Sequence, residues 1–180
     1  MSFELFKKVK QVLLNQKDYS EKLRLKGIFE CRTYDTNDNI IDEIHDDNII
    51  VNTSFTIITD LFVNGVSLSK INTLKIGSGG IYNSNVKIPL ATETDLYTPL
   101  ETKVTPDIYT SDEVLIDELN KTMTWTWTFA QDEGNGPGVR IYNEAGLFSA
   151  NGVMFSKKNF TEVVKTPDKK MIVKWSIKMV

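Results

Sequence analysis

The sequence predicts a mainly β protein: an antiparallel β-sandwich with a short N-terminal helix and one internal helix. Three observations carry this expectation. KTMTWTWTFA, residues 121 to 130, alternates threonine with Met123, Trp125, Trp127 and Phe129. MIVKWSIKMV, residues 171 to 180, sets Met171, Val173, Trp175, Ile177 and Met179 against Lys174, Ser176 and Lys178. A period of two with one apolar face marks a half-buried strand. The rest of the second half is a succession of such runs, bounded by Pro, Gly, Asn or Asp clusters, as expected for two antiparallel sheets packed face to face.

Taken in order, residues 3 to 17 carry Leu5, Phe6, Val9, Val12 and Leu13 at helical spacing, with lysines largely elsewhere. This predicts a short amphipathic helix, too short to be stable alone, that docks on its own domain or on a partner. From Lys22 the period falls to two, with Leu23, Leu25, Gly27, Phe29, Cys31 and Thr33 on one side. YDTNDN is turn chemistry and IIDEIH returns the chain, so residues 22 to 45 read as a hairpin. In NTSFTIITDLFVNG, Phe55, Ile58, Leu61 and Phe62 recur at three and four residues. A helix over about 53 to 63 follows, capped by Asn52 or Thr53 and ended by Gly65. Leu74 to Ile76 is a short strand ended by GSGG. Residues 77 to 99 lack periodicity and read as a long loop or extended arm, a length that is usually functional or disordered. Strands are expected over 100–109, 112–119, 121–130, 139–148, 153–165 and 170–179. The organisation is therefore an N-terminal anchor over residues 1–20 and a sandwich domain over residues 21–180, with its arm at about 77–99.

The chain has 180 residues, 41% hydrophobic and 25% charged, which is enough to bury a core without disulfides or metal. Cys31 has no partner cysteine and falls in an apolar phase, so it reads as a small buried hydrophobe. A formal charge of −3 leaves no excess of Lys and Arg to displace counterions from phosphates, which argues against a general nucleic-acid binder. The N-terminus offers neither a signal-peptide core nor a span of ~20 apolar residues. Folding in a cytoplasm, without membrane insertion, is the expectation.

Candidate chemistry is sparse. His45 is the single histidine, which removes two-histidine metal sites and leaves little for a Ser, His, Asp triad. DTNDNIIDEIHD places Asp35, Asn37, Asn39 and Asp46 at calcium-loop positions, but Ile40 stands where the sharp turn needs Gly, so a hairpin turn is the better reading. GSGG at 77 to 80 lacks the Lys and Ser or Thr of a phosphate cradle and reads as glycines that let a loop leave a strand. QDEGNGPGVR reads as a mobile hairpin connection. Glu144 stands apart, because NEAGLF puts a carboxylate immediately before a small apolar run that enters the core. It needs partners, and Arg140, Lys165 or backbone amides are the candidates for a structural buried pair.

The aromatic face of residues 121 to 130 is either a core or a platform for a sugar or base. Trp125, Trp127 and Phe129 have natural partners in Trp175, Ile177 and Met179, so we assign it to the core together with Trp175 and Glu144. Sugar stacking is the alternative, and it requires the indoles to be exposed.

Several segments together resemble a known family. They are LKGIFECRTYDTNDNIIDE, DNIIVNTSFTIITDLF, INTLKIGSGG with the TETDL that follows, YNEAGLFSANGVMFSKKNFTEVVKT, and a terminal strand ending in KWSIKM. Their order resembles that of tailed-bacteriophage structural proteins found around tail fibres, baseplates and necks. The family's helix start falls on Asn48 to Ser54, its strand end on Ile76 to Gly79, and its acidic arm on Thr92 to Leu96. Its E-A-G-L-F strand falls on Glu144 to Phe148 and its K-T turn on Lys165 to Thr166. Ser54 replaces a frequent glycine, and GSGG replaces a Gly, Thr, Gly run. The resemblance implies a non-enzymatic virion component, used in multiple copies and without cofactor. Its partners would be copies of itself and other phage tail, neck or baseplate proteins, with a fibre or a host-surface glycan as further candidates. Contacts are expected from the helix, through Phe3, Phe6, Val9 and Leu13, and from the arm, through Ile81, Tyr82, Leu96 and Tyr97. The alternatives are a carbohydrate-binding module of a tail fibre and a contractile injection particle built from similar parts.

Overall fold

Residues 24–64 and 70–180 are described by a computed structural model. The expected N-terminal helix, with Phe3, Phe6, Val9 and Leu13, lies outside the described residues, as does Gly65 at the expected end of the internal helix.

The alternation after Lys22 becomes β1 (Leu25–Tyr34), which turns through YDTNDN into β2 (Ile40–Ile50). The Asp35 carboxylate is consumed by this turn, accepting from the Asn37 and Asn39 amides and from the Asn39 side chain. Then come α1 (Ser54–Thr59), a π-helical turn (Asp60–Asn64) and β3 (Ile71–Gly77). The two-residue strands β4 (Ile81–Tyr82) and β5 (Asn85–Val86) pair only with each other. The chain continues with β6 (Pro99–Val104), β7 (Val114–Asp117), β8 (Thr122–Phe129), β9 (Arg140–Ser149), β10 (Met154–Lys165) and β11 (Lys170–Met179).

The protein is mainly β and antiparallel throughout, with a sandwich-like form. Its two layers belong to one continuous nine-stranded sheet, in the order β6-β3-β9-β10-β2-β1-β11-β8-β7, that curls onto itself. The strand that makes this possible is β2. It pairs with β1 through Ile40–Asn48 and then with β10 through Ile49 and Ile50, so its eleven residues serve both layers.

The main core fills the space between the layers. Trp125, Trp127 and Phe129 of β8 and Trp175 of β11 enter it from one layer, and Leu74, Ile76, Leu147 and Phe160 from the other. Trp125 and Trp175 are directly opposed in the β8–β11 register. Phe29 joins the layers, with its ring stacked on Phe160 at 5.0 Å and edge-on to Trp175 at 5.2 Å. Each such side chain contributes roughly 1.5–3 kcal/mol of burial. The Cys31 thiol is buried here, and burial pushes its pKa up to about 12.

The helix departs from the expected face. Ile57 is buried, whereas Phe55, Leu61 and Phe62 point outward. Thr53 occupies the N-cap position but makes no cap, because its hydroxyl donates to the Met154 carbonyl at 2.6 Å instead. That bond seats the helix start on β10, and the π turn shifts the later side chains out of α-helical phase. Among the described residues, no helix is long and apolar enough to cross a membrane.

Candidate functional site

The 77–99 segment is not an extended arm. It folds back over the outer face of β9 and β10, and the cause is a polar cluster built around Glu144. Ala145 and Leu147 of β9 face the main core, so Glu144 and Phe148 face the other way. A carboxylate on that face would meet solvent on an ordinary sandwich; here the returning segment covers it completely.

Backbone amides satisfy that carboxylate. Oε1 accepts from the Gly79 amide at 2.9 Å and the Thr98 amide at 2.6 Å, and Oε2 accepts from the Tyr97 amide at 2.9 Å. The Lys157 ammonium stands 3.6 Å from Oε2. Three N–H donors and one cation account for nearly all the lone-pair capacity of a carboxylate. Glu144 is thereby a structural anchor, with both of its oxygens engaged.

Lys157 is equally buried. Its Nζ pairs with Glu93 Oε2 at 2.8 Å, donates to the Asp95 carbonyl at 3.1 Å and lies 3.6 Å from the Tyr97 ring centre. The same ring carries the Lys87 ammonium at 3.9 Å, and Lys87 donates to the Gly79 carbonyl at 2.7 Å. The Tyr97 hydroxyl donates to Glu93. Partial burial and then that carboxylate push the phenol up to about 12. For Glu93, burial acts to raise the pKa, but the Lys157 pair and the Tyr97 hydrogen bond outweigh it and hold the group below the usual range.

Around this clamp the segment is sewn down by further bonds. The Gly80 amide donates to Asn143 Oδ1 at 2.7 Å, Asn159 Nδ2 donates to the Lys87 carbonyl at 3.1 Å, and the Asn52 amide donates to the Ala91 carbonyl at 2.7 Å. Beside them Leu96 packs with Val51, Phe148 and Met154 in a second apolar cluster. The glycines of GSGG have a different role from the one expected. A Cβ on Gly77 would stand 2.2 Å from the Thr98 carbonyl oxygen, and one on Gly80 would stand 2.1 Å from that of Asn143. They permit close approach of two backbones.

Of the five short motif stretches singled out in the sequence, four meet here: Asn48 to Ser54, Ile76 to Gly79, Thr92 to Leu96 and Glu144 to Phe148. The fifth lies elsewhere. Lys165 is buried and donates to Asn135 Oδ1 at 2.8 Å and to the Gln131 carbonyl at 3.2 Å. With the Tyr142 hydroxyl on the Gly134 carbonyl, it anchors the 131–140 connection. Neither Arg140 nor Lys165 partners Glu144; Arg140 faces Glu101 at 3.9 Å. Of the expected contact residues on the arm, Leu96 is buried in the chain's own second cluster, Ile81 is half-buried, and Tyr82 and Tyr97 remain open to solvent.

Lys157 and Glu93 escaped the sequence reading. The alternation of β10 breaks at a bulge between Met154 and Ser156, which turns Lys157 onto the clamp face. Nothing in FSKKNF distinguishes it from the more exposed Lys158. His45 is exposed, with Nδ1 3.3 Å from Glu30 Oε2. Among the described residues, no group of three or more His, Cys, Asp or Glu side chains could hold a metal ion. The indole rings of Trp125 and Trp127 are buried, so they form no exposed stacking platform.

Comparison with family models, curated proteins and solved structures finds no match to this chain.

Proposed function

We propose that this chain is a non-enzymatic structural protein of a tailed-bacteriophage virion. In this reading it assembles in multiple copies at the tail, neck or baseplate and connects fibres or neighbouring tail proteins. One observation carries the assembly part. The segment pinned by Glu144 and Lys157 turns large apolar side chains outward: Ile88 is 84% exposed, Tyr82 68% and Leu90 58%. A backbone fixed by buried charge-assisted bonds presents these side chains in a set arrangement, which lowers the ordering entropy that an interface must overcome. The sequence resemblance supports the virion part, and four of its five motif stretches contribute to this pinned surface.

The experiment is the solution mass of the 20.5 kDa chain by light scattering. Wild type is expected as a defined oligomer, and the double variant Ile88→Asp, Leu90→Asp as a folded monomer. A wild-type chain that stays monomeric at high concentration would remove self-assembly from the proposal.

A further inference from the structure

Where β7 forms the end strand of the curled sheet, an apolar slot of about 280 Å³ lies between the two layers. Val114 and Ile116 of β7 and Met123 of β8 line it from one layer, and Leu61 of the π-helical turn, Ile71 of β3 and Tyr109 line it from the other side. Ile116 is 55% exposed, Leu61 44% and Tyr109 42%, so the main core leaves large apolar side chains uncovered at this edge. The volume is nearly twice that of a ~150 Å³ cavity that takes up benzene, which gives room for about two large side chains. Walls of this composition favour an apolar face.

The chain brings such a face within reach. Arg24 and Val180 exchange backbone hydrogen bonds and the Met179 amide donates to the Lys121 carbonyl, so residue 24 joins the sheet at the end where β7 turns into β8. In the pairing register Gly27, Ile177, Met123 and Ile116 form one row across β1, β11, β8 and β7. That row crosses three strand spacings, about 14 Å, and residue 24 stands three residues beyond it, so the diagonal to Ile116 is about 17 Å. Residues 18 to 23 span about 20 Å when extended, which is enough to bridge it. Before them in the sequence, Phe6, Val9 and Leu13 recur at three and four residues, the pattern of one apolar helical face. Charge agrees with this occupant. Residues 3 to 17 hold four lysines against one glutamate, whereas residues 105 to 118, which run along the slot through Tyr109, Val114 and Ile116, hold five carboxylates and no lysine or arginine. Lys70 pairs with Asp107 at 3.1 Å, which leaves a negative surplus on this rim. We propose that the amphipathic segment of residues 3 to 17 docks on its own chain, seating Phe6, Val9 and Leu13 in the slot between β3 and β7. A short tether gives this segment an effective concentration of roughly millimolar, ahead of the same segment on a neighbouring copy. The inference does not depend on the proposed virion role.

The test places a nitroxide on Lys10→Cys in the full chain; the Cys31 thiol, buried and with a raised pKa, does not compete for the label. The expected result is paramagnetic broadening of the Ile116 and Met123 methyl resonances, with Met154, in the second apolar cluster, little affected. In a mixture of nitroxide-bearing chains without isotope and isotope-labelled chains without nitroxide, that broadening should be lost or far weaker. The double variant Phe6→Asp, Val9→Asp should abolish it and speed amide exchange in β7 and β8 about tenfold or more, as for one large side chain no longer buried. Exchange in β1 is the control for folding and should stay unchanged. Sharp Ile116 and Met123 resonances in the nitroxide-bearing chain overturn the inference. Broadening equally strong in the mixture assigns the slot to a neighbouring copy, and broadening that persists in the double variant reports the tether alone; either result overturns it as well.

Discussion

At the residue scale, Glu144 concentrates the consequences. Gln in its place keeps the shape but sets an NH2 group among three backbone N–H donors and leaves Lys157 with Glu93 as its single charge partner. Breaking a buried charge arrangement of this kind costs about 3 kcal/mol, so Glu144→Gln should lower the urea midpoint by a corresponding amount without changing the fold. An unchanged midpoint would show that the backbone amides alone hold the segment. Glu93 adds a pH dependence. Its folded pKa is depressed below the reference value of 4.5, so its contribution is complete above that pH and is lost as pH falls through the lower folded value. Amide-exchange protection at Tyr97 and Thr98, measured from neutral pH down through this range, should fall before protection in β11 does. Simultaneous loss in both places would mean that the clamp has no titration of its own.

At the level of elements, the glycines of β3 and the turn after it explain how a long irregular stretch becomes part of the body. Gly80→Ala brings a Cβ against a backbone oxygen that cannot move without shifting β9. We expect a loss of about 1–3 kcal/mol and weaker exchange protection over residues 78–98, read by hydrogen–deuterium exchange. The strands were legible because alternation is local: β8 and β11 announce their buried faces residue by residue, and the β1–β2 turn is written in YDTNDN. The burial of Glu144 was also legible, since a carboxylate leading AGLF has to be neutralised. Its partners were not, because they are backbone amides more than forty residues away in sequence, which have no compositional signature. The helix face was misread for a related reason. Thr53 is drawn to the Met154 carbonyl, a tertiary contact, and the π turn then breaks the three-and-four spacing on which the reading of Phe55, Leu61 and Phe62 rested.

At the scale of the whole molecule, the curled sheet divides labour between its two layers. The β8–β11–β1 layer has a polar outer face, where Thr124 bonds Ser176 and Arg32 pairs with Glu30 and Glu43. The β3–β9–β10 layer is covered on both faces, by the main core on one side and by the returning segment, with its polar clamp and second apolar cluster, on the other. The assembly surface is therefore expected on the second layer. Removing residues 1 to 20 and repeating the mass measurement distinguishes the two candidate contacts: an oligomer that persists places the contact on the 78–98 segment, and one that dissociates places it on the N-terminal residues. The register between β1 and β11 has one more effect, on the timing of synthesis. All ten residues of β1 pair with β11, Leu25 with Met179 at one end and Tyr34 with Lys170 at the other. During translation at roughly 5–20 residues per second, the first hairpin waits several seconds or more for the strand that covers its free edge. Throughout that interval the nascent chain exposes an unpaired edge carrying Phe29 and Cys31, the kind of edge through which incompletely folded β chains aggregate.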